Sequence, residues 1–205
     1  MTTFLDEEDK YMPIVIASSD GKAMAATVKM LTELAYSIGR IPALVVVTTS
    51  GLLMARQVGL AKLREYFQHN PRGFIIDSDI ELVGNSALLA EYVARADAEK
   101  CSFVGAYLSK SGIVDIQIEQ YKQMEPADYA TLSDWSNVKF AGLGFYYGEI
   151  PMDYEFKFDS KFDRNEGLGE DYHFFNDHPQ FKTKLAKKLI LGHYKTVRLI
   201  IPEVQ

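Results

Sequence analysis

Two short acidic groups and one late histidine have the clearest capacity for chemistry in this 205-residue chain. Asp77-Ser78-Asp79 directly follows the apolar residues Phe74, Ile75 and Ile76. Two carboxylates at i and i+2 beyond a strand end can turn oxygens toward one point, and such oxygens suit Mg²⁺ or Mn²⁺. A cation held there would bridge the phosphates of a nucleoside diphosphate and offset charge on a departing group. Acid-x-acid triplets also end strands as plain polar turns. The apolar run before this one, and Ile80-Glu81-Leu82 after it, favour carboxylates held on a fixed element.

Gly169-Glu170-Asp171-Tyr172 opens an amphipathic segment. A helix dipole alone would account for acidic residues at a helix start. The functional reading makes Asp171 the base that takes a proton from an attacking hydroxyl, with Glu170 as its substitute. His193, in Gly192-His193-Tyr194-Lys195, carries an imidazole able to complete the shell of a cation already held by carboxylates. Its plainer role is a polar cap at a strand end. Lys195 can approach a diphosphate as a point charge.

Weaker signals surround these groups. Ser18 and Asp20 end an apolar run, where they either face a base or ribose or simply make a strand-to-helix turn. Arg56 lies on an expected helix near the same edge, in reach of a nucleotide or of Asp79, with a solvated charge as the alternative. Lys62, on another face of that helix, belongs on the surface. Trp135, the single tryptophan, sits among polar residues, where it either stacks on a sugar or acceptor or plugs the edge of the core.

The elements that must position these residues follow from periodicity. Residues 13–19, 43–48, 74–76 and 102–108 read as buried strands. Residues 22–38, 51–67 and 87–96 between them read as amphipathic helices, with Gly39 stopping the first and Ser50 capping the second. Strand-helix alternation of this kind predicts an α/β domain with a largely parallel sheet. Ligands in such sheets sit beyond the carboxyl ends of the strands, where Ser18, Thr48 and Asp77–Asp79 collect. In the second half, residues 113–119 alternate as an antiparallel strand, and 138–147 is a further strand interrupted by Gly142 and Gly144. Residues 151–168 read as a loop, 170–177 and 181–188 as helices, and 188–191 as a last strand.

Composition narrows the function classes. An apolar fraction of 47% and a charged fraction of 24% are ordinary for one globular domain. Cys101 is the single cysteine, so neither an intramolecular disulfide nor a thiolate-rich metal site is expected, and its apolar neighbours make it a core residue. Net charge is −6, which excludes general attraction to nucleic acid. The acidic start, without a basic region, argues against a signal peptide, and the apolar runs are too short to span a bilayer. A cytoplasmic protein is therefore expected, with room left for peripheral membrane contact or an oligomer.

In the order of these motifs the chain resembles the glycosyltransferase A-type superfamily, and is similar to its compact members in archaea and their viruses. The resemblance rests on Arg56 to Asp79, on Gly169-Glu170-Asp171 and on Gly192-His193-Tyr194-Lys195, and extends from Ile14 to about Arg198. It implies one domain over 1–205, with a donor-nucleotide half at 10–108 and an acceptor and catalytic half at 109–205. It also implies a nucleotide-sugar donor and Mn²⁺ or Mg²⁺ as cofactor. Asp79 and His193 would ligate the cation, and Asp77 would meet the ribose or bind metal through water. Asp171 would be the base, and Ala17 to Asp20 would hold the nucleobase. The acceptor, a carbohydrate, lipid or protein, would be recognised by residues 125–168 or by another subunit.

Three other functions compete. A nucleotidyltransferase could share the sheet and its carboxylates, but Ser18-Ser19-Asp20-Gly21-Lys22 is sparse for a triphosphate loop. Aspartyl-phosphate hydrolases carry Asp-x-Asp on their first strand, and here it comes too late. A noncatalytic nucleotide-sugar-binding protein would keep the site and lose turnover.

Overall fold

The computed structural model describes residues 8–18, 22–23, 25–48, 52–82, 86–108, 114–115, 130–157, 169–193 and 199–200. Asp20, Ser50, Lys195 and most of the glycine-bearing loop at 158–168 lie outside them. Ten strands are described: β1 Tyr11–Ser18, β2 Lys22–Ala23, β3 Ile41–Thr48, β4 Arg72–Asp77, β5 Ile80–Leu82, β6 Phe103–Leu108, β7 Val114–Asp115, β8 Phe145–Glu149, β9 Lys184–His193 and β10 Leu199–Ile200. Four helices accompany them: α1 Ala25–Ser37, α2 Leu52–Leu63, α3 Ser86–Glu99 and α4 Glu170–Asp177.

The main sheet runs β3-β1-β4-β8-β6-β9-β5, with β7 paired to β6. β3, β1 and β4 are parallel neighbours, as are β6 and β9, whereas β8, β5 and β7 run against the strands they pair with. This is the expected α/β architecture, mostly parallel with antiparallel additions from the second half. The two halves of the chain share one sheet, because β8 inserts between β4 and β6.

Side-chain alternation builds the layers. On β1, Met12, Ile14 and Ile16 join Leu31 and Leu34 of α1 and Leu89 and Val93 of α3 in one core. Val15 instead joins Leu60 and Leu63 of α2 and Phe174 and Phe175 of α4 in a second. Each fully buried aliphatic side chain contributes about 1.5–3 kcal/mol relative to exposure. Gly59 lets α2 approach the sheet: a Cβ there would fall 2.5 Å from Cγ1 of Val15. No helix among the described residues is long and apolar enough to cross a membrane.

Three expected elements are corrected, and one of them, the strand expected at 138–147, is confined to Phe145–Glu149. The first helix starts at Ala25, and Lys22–Ala23 pairs instead with Leu199–Ile200 as a small antiparallel sheet. The basic helix expected at 181–188 is largely strand. A 3-10 turn at Pro179–Phe181 leads into β9, which runs unbroken from Lys184 to His193 between β6 and β5. A register shift against Gly105 and Ala106 accommodates extra residues of β9. There the lysines that mimic a helical face find partners from a distant segment, with Lys187 Nζ donating to the carbonyls of Ala130 and Leu132.

Trp135 plugs the core. It is 6% exposed, stacks on Tyr92 at 5.4 Å, and lies under the Arg95 guanidinium at 4.6 Å, so neighbours occupy its ring. Its Nε1 donates to Glu99. Cys101 is buried just before β6, and burial pushes its thiol pKa up, away from nucleophilic character.

Candidate functional site

The carboxyl end of β4 delivers the acidic triplet to the rim of the sheet. Its backbone is pinned on both sides: the Asp77 amide donates to the Gly144 carbonyl at 2.9 Å, and the Ser78 amide to the Ala17 carbonyl at 3.1 Å. Ala17 is the register partner of Asp77, which puts Ser18, itself buried, beside the triplet. Ser78 and Asp79 are buried in the turn between β4 and β5. β5 then pairs antiparallel with β9, so that the backbone of His193 lies opposite Ile80, the residue after Asp79. A nonlocal strand pairing thus returns the chain, more than a hundred residues later, to the triplet.

The second acidic group arrives on α4, whose first turn holds Glu170 and Asp171. Carboxylates are favoured at this end of a helix by its amide groups and dipole. Arg56 on α2 joins the two groups. Its Nη2 lies 2.9 Å from Oδ1 of Asp77, and its Nη1 lies 2.8 Å from both Oε1 of Glu170 and Oδ1 of Asp171. Among the described residues the buried Nε of Arg56 has no hydrogen-bond partner, so the two terminal nitrogens carry the described contacts. The guanidinium is 1% exposed, against 18%, 16% and 26% for Asp77, Glu170 and Asp171. A ligand entering from solvent therefore meets the carboxylates and not the arginine.

The electrostatics are lopsided. One guanidinium faces three carboxylates, with Asp79 close by in sequence. Burial works against the charge of Arg56, but Asp77, Asp171 and Glu170 outweigh it and hold the group firmly protonated. Burial acts the other way on Asp171 and raises its pKa. Arg56 and the backbone amide of Leu143 pull it down, Glu170 and Asp77 push it further up, and the balance is a carboxyl at about 7. Such a group is poised to exchange a proton near neutrality.

Among the described residues no three His, Cys, Asp or Glu side chains stand together as a ready metal shell. The donor chemistry still fits a hard divalent cation. Carboxylate oxygens from β4 and α4 meet at one rim, and their negative charge exceeds the single positive charge of Arg56. Of the other three histidines, His69 is exposed near Glu8, His173 lies on α4 with its ring 5.7 Å from that of Tyr172, and His178 stacks on Phe181 at 4.7 Å.

Sequence reasoning missed the 143–144 turn. Its Gly144 carbonyl takes the Asp77 amide while the Leu143 amide supports Asp171, so one turn serves both acidic groups. The only hint was the pair of glycines that interrupts the strand expected at 138–147.

No protein-family model and no curated protein matches the sequence. Among solved structures, the chain is similar to a UDP-glucose pyrophosphorylase complexed with UDP-glucose, at 14% identity and a TM-score of 0.41, over 95% of this chain and 77% of that one.

Proposed function

We propose that this chain is a divalent-cation-dependent transferase that moves a sugar from a nucleotide-sugar donor to an acceptor hydroxyl, with inversion. The observation that supports it most is the Arg56 junction, in which the strand-end carboxylate Asp77 and the helix carboxylates Glu170 and Asp171 share one guanidinium. A donor-binding group and a base must face the same reacting carbon, and this junction holds both kinds of carboxylate at one rim.

Asp77, Asp79 and His193 would hold Mn²⁺ or Mg²⁺, which when bound supplies the positive charge that a diphosphate leaving group requires. The chain's own side chains do the rest. Ser18, with Asp20 and Lys195, would contact the nucleotide. Asp171, near neutral pKa, accepts the acceptor's hydroxyl proton as that oxygen bonds to the anomeric carbon. The bond from that carbon to the phosphate oxygen breaks, and the nucleoside diphosphate departs. Arg56 positions Asp171 and does not touch the substrate, since its guanidinium is enclosed.

The test is calorimetric titration of UDP- and GDP-sugars with and without Mn²⁺, on the wild type and on Asp79→Ala. Binding that needs Mn²⁺ in the wild type and is lost in the variant supports the reading; equal affinity with and without metal contradicts it. Product analysis separates the competing chemistry. Nucleoside diphosphate release is expected, whereas pyrophosphate formed from a nucleoside triphosphate and a sugar phosphate would make the protein a nucleotidyltransferase.

A further inference from the structure

A second cavity, of about 700 Å³, opens at the other end of α4 from Asp171, and its lining differs in character from the acidic rim. Lys139, Lys182 and Lys184 line it, with His178 beside them and the rings of Phe140 and Phe175 among its apolar walls. Glu99 is the one carboxylate among the described lining residues, and it is already engaged by Arg95 and by Trp135 Nε1, each at 2.9 Å. In a chain of net charge −6, three ammonium groups around one cleft are a local reversal of sign. The lining residues Phe175 and Asn176 lie four and five positions beyond Asp171 on α4, about 6 to 7.5 Å along its axis, and none of the carboxylates that Arg56 gathers lines the cleft.

Backbone strain marks the same place. The non-glycine residues described with left-handed backbone are Lys100, Trp135 and Lys182, with φ of 50°, 66° and 46°. Lys182 lines the cleft, Lys100 lies between the lining residues Glu99 and Cys101, and Trp135 donates to Glu99. Glycine is the unstrained choice at such positions. The left-handed turn at Lys182 ends the 3-10 turn Pro179–Phe181 and sets that lysine at the cleft.

We propose that this cleft binds a small organic anion, a phosphate or carboxylate on a planar or apolar body. The ammonium groups of Lys139 and Lys182 take the charge, with Lys184 beside them already donating to Asn137 at 2.7 Å, and the apolar wall of the cleft takes the body. Phe140 is buried with Tyr172 stacked on it at 4.4 Å, and Lys139 Nζ lies 5.2 Å from its ring centre, so the ring braces Lys139 at the cleft. The site takes its ligand without a metal, which separates it from the acidic rim.

Phenyl phosphate, titrated by calorimetry into the full chain in the presence of EDTA, tests this, with phenol as the uncharged control. Phenyl phosphate should bind and phenol should not. Lys182→Gly should raise the thermal midpoint, by releasing the left-handed lysine, yet weaken phenyl phosphate about tenfold, one charge-assisted contact. Lys139→Ala should weaken it similarly with no gain in midpoint. No binding to the wild type, equal affinity for phenol, or an unchanged affinity in both lysine variants would overturn the proposal.

Discussion

Nη1 of Arg56 lies 2.8 Å from Oδ1 of Asp171, across 115 positions of sequence. That contact fixes α4 against α2 and sets the chemistry of the rim. The same guanidinium holds Asp77 and Glu170, so its charge is shared among three acids rather than spent on one. The carboxyl with most to gain from a further positive charge, or from a proton, is Asp171.

Removing that guanidinium should be costly. Arg56→Met would leave three partly buried carboxylates without their cation, a loss of about 3 kcal/mol or more. Arg56→Lys should recover only part, because one ammonium cannot reproduce a planar fork. Urea denaturation midpoints would show this. An Arg56→Met protein as stable as the wild type would mean that the junction is not what ties the helices together.

The raised Asp171 also predicts a pH dependence. The folded chain keeps its proton up to about 7, while the unfolded carboxyl releases it near 3.8, so the folded state binds more protons between these values. Stability from this group is therefore fully present below 3.8 and is lost as pH rises through about 7. Chemical denaturation from about pH 4 to about pH 8 in EDTA, on the wild type and Asp171→Asn, isolates it. The wild type should lose stability relative to the variant as pH rises; a difference that stays flat would remove the shift.

Gly59 offers a prediction about packing alone. Alanine would improve helix propensity by about 1 kcal/mol, yet its methyl would press on Val15, and overpacking costs about 1–3 kcal/mol. The 2.5 Å approach to a branched side chain on a central strand makes the second effect the larger. Gly59→Ala should lower the thermal midpoint, and a rise would show that α2 has room to move.

β1 and β4 were legible because parallel strands buried on both faces are written as continuous apolar runs, such as Ile14 to Ala17, and β3 was legible from its β-branched residues Val45 to Val47, although Leu44 is exposed at the edge of the sheet. The triplet at the end of β4 was legible for the same reason. Pairing between distant segments was not. Nothing local says that Phe145–Glu149 inserts between β4 and β6, or that Lys184–His193 joins β6 to β5. Lys184, Lys187 and Lys188 disguised that last strand, since their spacing suits a helix, whereas their partners Asn137, Leu132 and Asp134 come from a segment about fifty residues earlier. Arg56 could be placed on its helix near the functional edge, in reach of a nucleotide or Asp79, but its partners Asp77, Glu170 and Asp171 could not be read, because they come from two other elements.

Turnover by Asp171→Asn, measured together with its donor affinity, tests most directly whether the two acidic groups serve one transfer reaction. The account predicts a donor dissociation constant close to that of the wild type and a transfer rate lower by about 100-fold or more. Transfer at a near-normal rate would contradict it, and would leave the carboxyl beside Arg56 with a structural part alone.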